Sequence, residues 1–292
     1  MDRASSIAPT LWAGHELVWG QRTYVMGIVN VTPDSFSGDG LRACELAEES
    51  LVERAVEKAR RFVAEGATFL DIGGESTRPG AEAISAEQEA GRVVPVIRAL
   101  RDSLPASTII SIDTYKAAVA EQALDAGADM INDIWGLRYD PAMATLAHER
   151  RVPVVVMANM RGYQKREIVS DVIHMLARSI EQAVTAGIPW EHLIIDPGIG
   201  FGMTVEEDLI LQRRLGELRV LGRPILLGTS RKSHIGRILG GLPAAERLEG
   251  TAATVALGIA HGADIVRVHD VREMMRVVKM SDAIVRGYSA QP

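Results

Sequence analysis

The chain has 292 residues, of which 47% are hydrophobic and 24% are charged, and this balance is typical of a globular protein. Its formal net charge of -6 argues against general binding to nucleic acid or to a membrane surface, so any anion site must be a local basic cluster. The single cysteine, Cys44, excludes an internal disulfide and fits a reducing cytoplasm. Residues 1–20 contain charges and a proline, so we expect neither a signal peptide nor a membrane span there.

Residues 1–20 predict a frayed tail and a small β-hairpin around Ala13-Gly14-His15-Glu16. Residues 21–292 then alternate between short apolar runs and longer amphipathic segments. The predicted strands cover residues 24–30, 68–73, 108–113, 129–134, 152–157, 192–196, 224–227 and 264–269. The predicted helices cover about 45–65, 86–101, 116–126, a short segment after Pro141, 171–186, 205–219, a segment ending near 261, and 271–285.

Eight strands alternating with helices predict one domain, a (β/α)8 barrel of the TIM type. Gly-Ala pairs at 66–67, 127–128 and 262–263 precede three of the strands, where glycine ends a helix by adopting a positive φ. A doubly wound open sheet is the alternative. It is less favoured because no G-x-G-x-x-G pattern follows the first strand.

Polar side chains stand at nearly every strand end, which in such a barrel is where the active site lies. The residues are Asn30, Asp71, Asp113, Asn132 with Asp133, Met157 with Asn159, Asp196, Ser230 with Lys232, and Arg267 with His269. One or two of them would be ordinary helix caps or turn residues. So many together predict a binding site.

The set divides into two chemical groups. Asp113, Asn132 and Asp196 suit a flat heterocycle with amino-pyrimidine donors and acceptors. Arg231, Lys232, Arg267 and His269 supply positive charge or hydrogen-bond donors for a phosphate or pyrophosphate.

The stretch 228–233 follows the strand 224–227 and reads as a turn and a helix start, with Ser233 as the cap. Its free backbone N–H groups, together with Arg231 and Lys232, suit an anionic ligand. An ordinary turn with two solvated basic residues is the competing interpretation. The loops 31–40 and 74–80 are long enough to act as lids.

Other reaction types lack their sequence patterns. No H-x-x-x-H pair, G-x-S-x-G elbow or G-x-x-x-x-G-K-[ST] loop occurs, which argues against a His-ligated zinc site, a serine hydrolase and a P-loop nucleotide site.

Seven motifs, in this order, resemble those of dihydropteroate synthase over nearly the whole chain. They are Met26-Gly-Ile-Val-Asn-Val-Thr-Pro-Asp-Ser-Phe-Ser37, Asp71-Ile-Gly-Gly-Glu-Ser-Thr-Arg-Pro-Gly80, Ser111-Ile-Asp-Thr114, Ile131-Asn-Asp133, Asp196-Pro-Gly-Ile-Gly-Phe201, Ser230-Arg-Lys-Ser233 and Arg267-Val-His-Asp270. The resemblance implies a transferase of folate biosynthesis. It would condense 6-hydroxymethyl-7,8-dihydropterin pyrophosphate with p-aminobenzoate to 7,8-dihydropteroate and pyrophosphate, as a Mg²⁺-dependent homodimer.

The resemblance also implies residue roles. The expected pterin-binding residues are Asp113, Asn132, Met157, Asp196, Lys232 and Arg267. The expected pyrophosphate-binding residues are Asn30, Arg267 and His269, with Asn30 also a Mg²⁺ ligand. The expected p-aminobenzoate-binding residues are Phe36, Thr77, Arg78, Pro79, Phe201, Lys232 and Ser233. Asp113, Arg78, Lys232 and Asp196 are expected to be catalytic, in a dissociative substitution that needs no protein nucleophile.

The chain departs from the family pattern after Met157, where Ala158 stands at a position that many members fill with His. No additional Phe-Gly pair follows Arg78-Pro79, so we expect sulfonamides to compete with p-aminobenzoate. Three alternatives remain open: a catalytically silent pterin-binding homologue, a methyltetrahydrofolate corrinoid methyltransferase, and a sugar-phosphate enzyme on the same barrel.

Overall fold

The structure, a computed structural model, describes residues 7–32, 48–76 and 82–288, with side chains of the first helix from residue 51 onward. The strands are β1 (Thr10–Trp12), β2 (His15–Leu17), β3 (Tyr24–Asn30), β4 (Phe69–Gly73), β5 (Ile109–Asp113), β6 (Met130–Asp133), β7 (Val154–Met157), β8 (Leu193–Asp196), β9 (Leu226–Leu227) and β10 (Ile265–Val268). The helices are α1 (Glu48–Ala64), α2 (Ala86–Ser103), α3 (Ala117–Asp125), α4 (Ala142–Arg150), α5 (Ile168–Thr185), α6 (Val205–Arg213), α7 (Ser233–Ile238), α8 (Leu248–Ala260) and α9 (Val271–Arg286).

The eight strands from β3 to β10 form one parallel sheet that closes on itself. Closure comes from a parallel bridge between Ile195 and Ile225, where the Ile195 N–H donates to the Pro224 carbonyl at 2.9 Å. The predicted (β/α)8 barrel with a short N-terminal hairpin is therefore confirmed. Within the described ranges, no helix has the length and apolarity needed to cross a membrane.

Alternation along the strands sorts the interior side chains into layers. The lower layer is apolar and contains Tyr24, Met26, Phe69, Ile109, Met130, Val155, Ile194, Leu226 and Ile265. The β1–β2 hairpin covers it with Trp12 and Leu17, together with Trp19, which follows β2. Two residues further along, Phe69 is followed by Asp71, Met130 by Asn132, and Ile265 by Arg267. The same barrel is thus sealed at one end and polar at the other.

Most predicted elements are confirmed within a few residues, and Gly66, Gly127 and Gly262 have the expected positive φ. Two predictions were imprecise. The hairpin turn is formed by Ala13 and Gly14 alone, both with positive φ, which leaves His15 in β2.

The helix predicted over 205–219 is also not continuous, because α6 ends at Arg213 and a 3₁₀ helix covers Leu215–Leu221. Leu215 and Leu218 are both fully buried, and their three-residue spacing matches the tighter turn.

Trp19 anchors the hairpin to the floor of the barrel. Its indole N–H donates to Thr10 Oγ1 at 3.1 Å, and its ring meets Tyr24 edge-on at 5.6 Å between centroids. We expect Trp19→Ala to lower the free energy of unfolding by about 3–5 kcal/mol, because it leaves a cavity in a packed layer. Urea denaturation followed by circular dichroism measures this, with Trp19→Phe as the control that keeps most of the packing. A loss below about 1 kcal/mol would show that the hairpin does not stabilise the barrel.

Candidate active site

Arg267 lies in the centre of the polar end of the barrel, between two carboxylates. As the third residue of β10 it projects inward, and its Nε donates to Asp71 Oδ2 at 2.6 Å. Its Nη2 donates to Asp113 Oδ2 at 2.6 Å, and Asn132 Nδ2 donates to Asp71 Oδ2 at 2.9 Å. Residues from β4, β5, β6 and β10 thus meet around one guanidinium group.

Burial determines the electrostatics of this group. Burial raises the pKa of Asp113 to about 7, although Arg267 beside it acts in the opposite direction. Burial also acts to lower the pKa of Arg267, but Asp71 and Asp113 outweigh it and hold that pKa above its ordinary value. The Arg267 cation is therefore fixed in charge and orientation.

Two buried polar atoms on β4 and β5 remain unsatisfied. Asp71 Oδ1 and Ser111 Oγ are buried and have no hydrogen-bond partner among the residues described. Asp71 and Ser111 are register partners on β4 and β5. Because such orphaned groups are rare in folded interiors, they mark this layer as a site that a polar molecule can satisfy.

Lys232 and Asp196 form the opposite side of the site. Asp196 ends β8, and its Oδ1 accepts from the Gly198 N–H at 2.7 Å. Lys232 Nζ donates to the Ile199 carbonyl and lies 4.7 Å from the centre of the Phe201 ring. Burial lowers the pKa of Lys232 to about 8, opposed by Asp196. The ammonium is therefore close to its titration range at neutral pH.

Gly228 leaves open the space that these groups share. A Cβ added at Gly228 would lie 3.9 Å from Asp196 Oδ2, 3.9 Å from Arg267 Cβ and 4.0 Å from Lys232 Nζ. Any larger residue would fill the position that all three side chains face.

One wall of the site is apolar. Met157 packs with Tyr115 and Ile134, and Trp135 and Phe201 lie against them. Acids and an amide on one side with an apolar wall on the other suit a flat polar heterocycle. The sequence interpretation missed Tyr115, Ile134 and Trp135, although the two-residue period through Met130 and Asn132 continues to Ile134.

Asn30 and His269 lie at the ends of neighbouring strands. Asn30 Oδ1 and Asp113 Oδ2 are each 3.6 Å from the point where a Cβ on Gly73 would lie, so both oxygens border the same space. His269 Nδ1 lies 3.0 Å from Ser230 Oγ, and the His269 N–H donates to the same oxygen at 3.2 Å. Donors and acceptors for an anion and its counter-ion thus stand at this edge of the site.

Several residues that the sequence predicted for the site lie outside it or have a structural role instead. Arg231 adds no free charge, because its guanidinium pairs with Asp270. Ser233 is not the cap of α7; it is an exposed first residue, and the N-cap is Lys232, whose side chain makes no capping bond.

Asp133 accepts from the N–H groups of Trp135 and Leu137 at 2.8 and 2.7 Å, which makes it a turn residue. Asn159 also closes a turn, since its Oδ1 accepts from the Arg161 N–H at 3.2 Å.

Four predicted residues of the two loops lie outside the described part of the chain: Phe36, Thr77, Arg78 and Pro79. Among the residues that are described, no group of three or more His, Cys, Asp or Glu side chains could hold a metal ion. The remaining predicted residues meet at one end of the barrel: Asn30, Asp71, Asp113, Asn132, Met157, Asp196, Phe201, Ser230, Lys232, Arg267 and His269.

Comparisons with known proteins identify the family of this chain. Residues 26–269 match the family model described as "Pterin binding enzyme". The dihydropteroate synthase of Bacillus subtilis (strain 168) is 47% identical over 92% of this chain and 91% of its own. A crystal structure of dihydropteroate synthase from Clostridium difficile, in the presence of pteroic acid, superposes with a TM-score of 0.87 at 46% identity over 92% of this chain and 99% of its own.

A Yersinia pestis dihydropteroate synthase, crystallised as a sulfonamide drug complex, has a TM-score of 0.85 at 37% identity over 95% of this chain and 99% of its own. The matched region begins within β3, includes the other seven strands of the barrel, and contains all the residues that meet around Arg267. The chain therefore belongs to the dihydropteroate synthase family of pterin-binding enzymes.

Proposed function

We propose that this protein condenses 6-hydroxymethyl-7,8-dihydropterin pyrophosphate with p-aminobenzoate, giving 7,8-dihydropteroate and pyrophosphate, in the cytoplasm as a step of folate synthesis. The observation that carries the proposal is the Arg267 guanidinium fixed between Asp71 and Asp113, beside the space that Asp196 and Lys232 also face. That grouping offers both the acceptors that a pterin needs and a cation for its pyrophosphate.

The pterin fits the side of the site formed by the acids and the apolar wall. Asp113 and Asp196 supply carboxylate acceptors for the amino-pyrimidine N–H groups, with Asn132 between them on β6. Met157 forms part of the apolar wall against which a flat ring packs. Lys232 and Arg267 face the same space left open at Gly228 and can bond ring acceptors or stack on the ring.

The pyrophosphate fits the edge formed by Asn30, Arg267 and His269. Arg267 uses Nε and Nη2 for the two carboxylates, and its Nη1 makes no hydrogen bond within the described residues. Those N–H groups are available to a phosphate oxygen.

The Asn30 amide oxygen also fits Mg²⁺, which commonly takes one or two protein oxygens and completes its shell with phosphate and water. When bound there, Mg²⁺ would neutralise charge on the departing pyrophosphate.

The chemistry that these residues support is a dissociative substitution. The C–O bond to pyrophosphate breaks with its electron pair on the leaving oxygen, where Arg267 and His269 stabilise the added charge. The methylene cation left behind is conjugated with the pterin ring and lies in the field of Asp113 and Asp196. The amine of p-aminobenzoate then forms the new C–N bond and releases a proton, so no protein nucleophile is required.

The p-aminobenzoate site is proposed for Phe201, Lys232 and Ser233, together with residues of the two loops. Phe201 and Lys232 are neighbours, since the ammonium lies over the ring. The family resemblance alone assigns four further residues to this site: Phe36, Thr77, Arg78 and Pro79. Arg78 is the one catalytic candidate whose position lies outside the described residues.

The direct test is dihydropteroate formation coupled to pyrophosphate release, with and without Mg²⁺. We expect product only with both substrates and a large loss of rate with EDTA that excess Mg²⁺ restores.

Arg267→Lys should lower kcat/KM by about 100-fold or more, because an ammonium cannot bridge two carboxylates as a planar guanidinium does.

The matched control is Arg276→Lys, the same exchange at an exposed position of α9. Full activity in Arg267→Lys would contradict the proposed role. Pterin binding without product in the unaltered protein would favour the silent homologue. Activity on methyltetrahydrofolate would favour the corrinoid methyltransferase.

A separate prediction concerns inhibitors. We expect sulfamethoxazole to raise the apparent KM for p-aminobenzoate while leaving the maximal rate unchanged, because both compounds would occupy the site beside Phe201 and Lys232. Steady-state kinetics at varied p-aminobenzoate measures the pattern. A rate that sulfamethoxazole leaves unchanged at sub-saturating p-aminobenzoate would contradict it.

We also propose a homodimer through the outer face of α9 and its neighbour α8. Met280 and Ile284 are 62% and 71% exposed and lie four residues apart on one helix face, and exposed Tyr288 lies two residues beyond the end of the helix. Leu257 on α8, which packs against α9, is also exposed. An apolar stripe of this kind suits the self-complementary interface of a two-fold dimer.

The dimer is tested by Ile284→Glu, which places a charge in the centre of this stripe. We expect the mass in solution to fall from that of a dimer to that of one chain at micromolar concentration, measured by light scattering. Leu11→Glu, at a 60% exposed apolar residue of the hairpin, is the matched control and should stay dimeric. A monomeric unaltered protein would overturn the proposal.

A further inference from the structure

We propose that Asp208 and His234, which lie behind the active site, are positioning residues that hold the loop 196–201 and the charge of Lys232. The inference relies on the proposed function only for the use that the enzyme makes of Lys232. Neither residue was indicated by the sequence. Both come from helices outside the barrel, α6 and α7.

Asp208 fixes the backbone that Lys232 contacts. Its side chain is buried, and its Oδ1 accepts from the Gly200 N–H at 2.6 Å. Asp196 holds the other end of the same loop through Gly198. Ile199 lies between these two bonds, and its carbonyl is the acceptor for Lys232 Nζ. Two carboxylates therefore clamp the loop that receives the ammonium.

The Asp208 side chain can reach the loop backbone because α6 begins shortly after the loop. Thr204 caps α6 in a capping box with Glu207, which places Asp208 in the first turn, facing back toward Gly200. Gly200 has φ +82, so only a residue without a side chain adopts this turn easily. A side chain there would also press on Lys232, since a Cβ would lie 3.1 Å from Lys232 Cδ.

His234 supports Asp208 from the other side as a neutral ring. Its Nε2 lies 3.3 Å from Gln212 Nε2, and the same amide nitrogen donates to the Asp208 carbonyl at 3.0 Å. An amide nitrogen only donates, so His234 Nε2 accepts and the ring proton resides on Nδ1. Nδ1 lies 3.5 Å from Asp208 Oδ2 and makes no hydrogen bond within the described residues, so its N–H directs a positive dipole end toward the carboxylate without bonding to it.

The pKa values agree with this assignment. Burial lowers the pKa of His234 to about 4, with further lowering by Lys232 and Arg247, so the ring is uncharged at neutral pH. Burial raises the pKa of Asp208, but its bond from Gly200 and the charge of Lys232 oppose that rise. The arrangement keeps a buried carboxylate and a buried neutral imidazole next to the partly buried ammonium of Lys232.

The protonation of Lys232 depends on a balance among the charges that face it. Asp196 from β8 and Asp208 from α6 raise its pKa, whereas Arg267 from β10 and Arg161 after β7 lower it, and burial lowers it most. Because the pKa of Lys232 is about 8, it lies only slightly above physiological pH. Loss of the Asp208 charge would therefore remove the proton from a substantial fraction of the molecules at physiological pH.

The test is a direct titration of Lys232 by NMR in protein labelled with ¹³Cε-lysine. The chain has only five lysines, at positions 58, 116, 165, 232 and 279, so each resonance can be assigned by single Lys→Arg variants. Asp208→Asn keeps an oxygen acceptor for Gly200 and removes the charge. We expect it to lower the pKa of Lys232 by about half a unit or more. The matched control Glu206→Gln removes the same charge from an exposed position of the same helix turn and should leave that pKa unchanged.

His234→Phe is the second variant, because it keeps a buried ring and removes the dipole that faces Asp208. It should lower the pKa of Lys232 by a smaller amount in the same direction. In both variants the alkaline limb of kcat/KM for p-aminobenzoate should move to lower pH by the shift that NMR measures. Melting temperatures determine whether each variant is folded.

An unchanged pKa of Lys232 in whichever of the two variants folds would overturn the proposal. So would a variant in which that pKa shifts while the alkaline limb stays in place. The NMR titration needs no substrate, so it succeeds or fails independently of synthase activity. If the unaltered protein makes no dihydropteroate, the proposed function fails while the link between Asp208 and Lys232 remains measurable.

Discussion

The active site is organised around a partly buried cation, Arg267, which lies between two carboxylates. Arg267 would be costly to place inside the barrel alone, and Asp71 and Asp113 would be as costly without it. Their mutual hydrogen bonds fix all three side chains and leave Arg267 Nη1 without an acceptor in the described part of the chain. Removing Arg267 would leave the carboxylates of Asp71 and Asp113 facing each other with no cation between them.

The closed barrel makes this cluster possible. Parallel strands with a common direction bring their carboxyl ends to one rim, and the two-residue period turns the same positions inward on every strand. The hairpin seals the opposite end with Trp12, Leu17 and Trp19. Water is excluded from below, so the electrostatic interactions of the polar layer are stronger than they would be in an open sheet.

The side formed by Lys232 shows how residues outside the barrel set the chemistry inside it. Lys232 contacts the loop after β8, and that loop is held by Asp196 within the barrel and by Asp208 on a helix outside it. The acceptor, the aromatic face and the opposing charges all come from different elements. The protonation state of Lys232 is therefore a property of the packed assembly.

The sequence alone determined the barrel, because the two-residue and 3.6-residue periods and the glycine helix ends are local signals that survive without tertiary information. It also indicated most of the site, since Asp113, Asn132, Asp196, Lys232 and Arg267 are polar side chains at apolar strand ends. Family resemblance, and not spacing, supplied the substrates.

Tertiary structure decided which charges are available. Arg231 and Lys232 are adjacent in sequence, yet one pairs with Asp270 at the surface and the other enters the barrel. The role of Asp71 comes from its bond with Arg267, which is 196 residues away in the sequence. The role of Asp208 comes from its bond with Gly200, which is 8 residues away. Pairing, burial and the pKa values that follow depend on distances across the fold, and no local pattern encodes those distances.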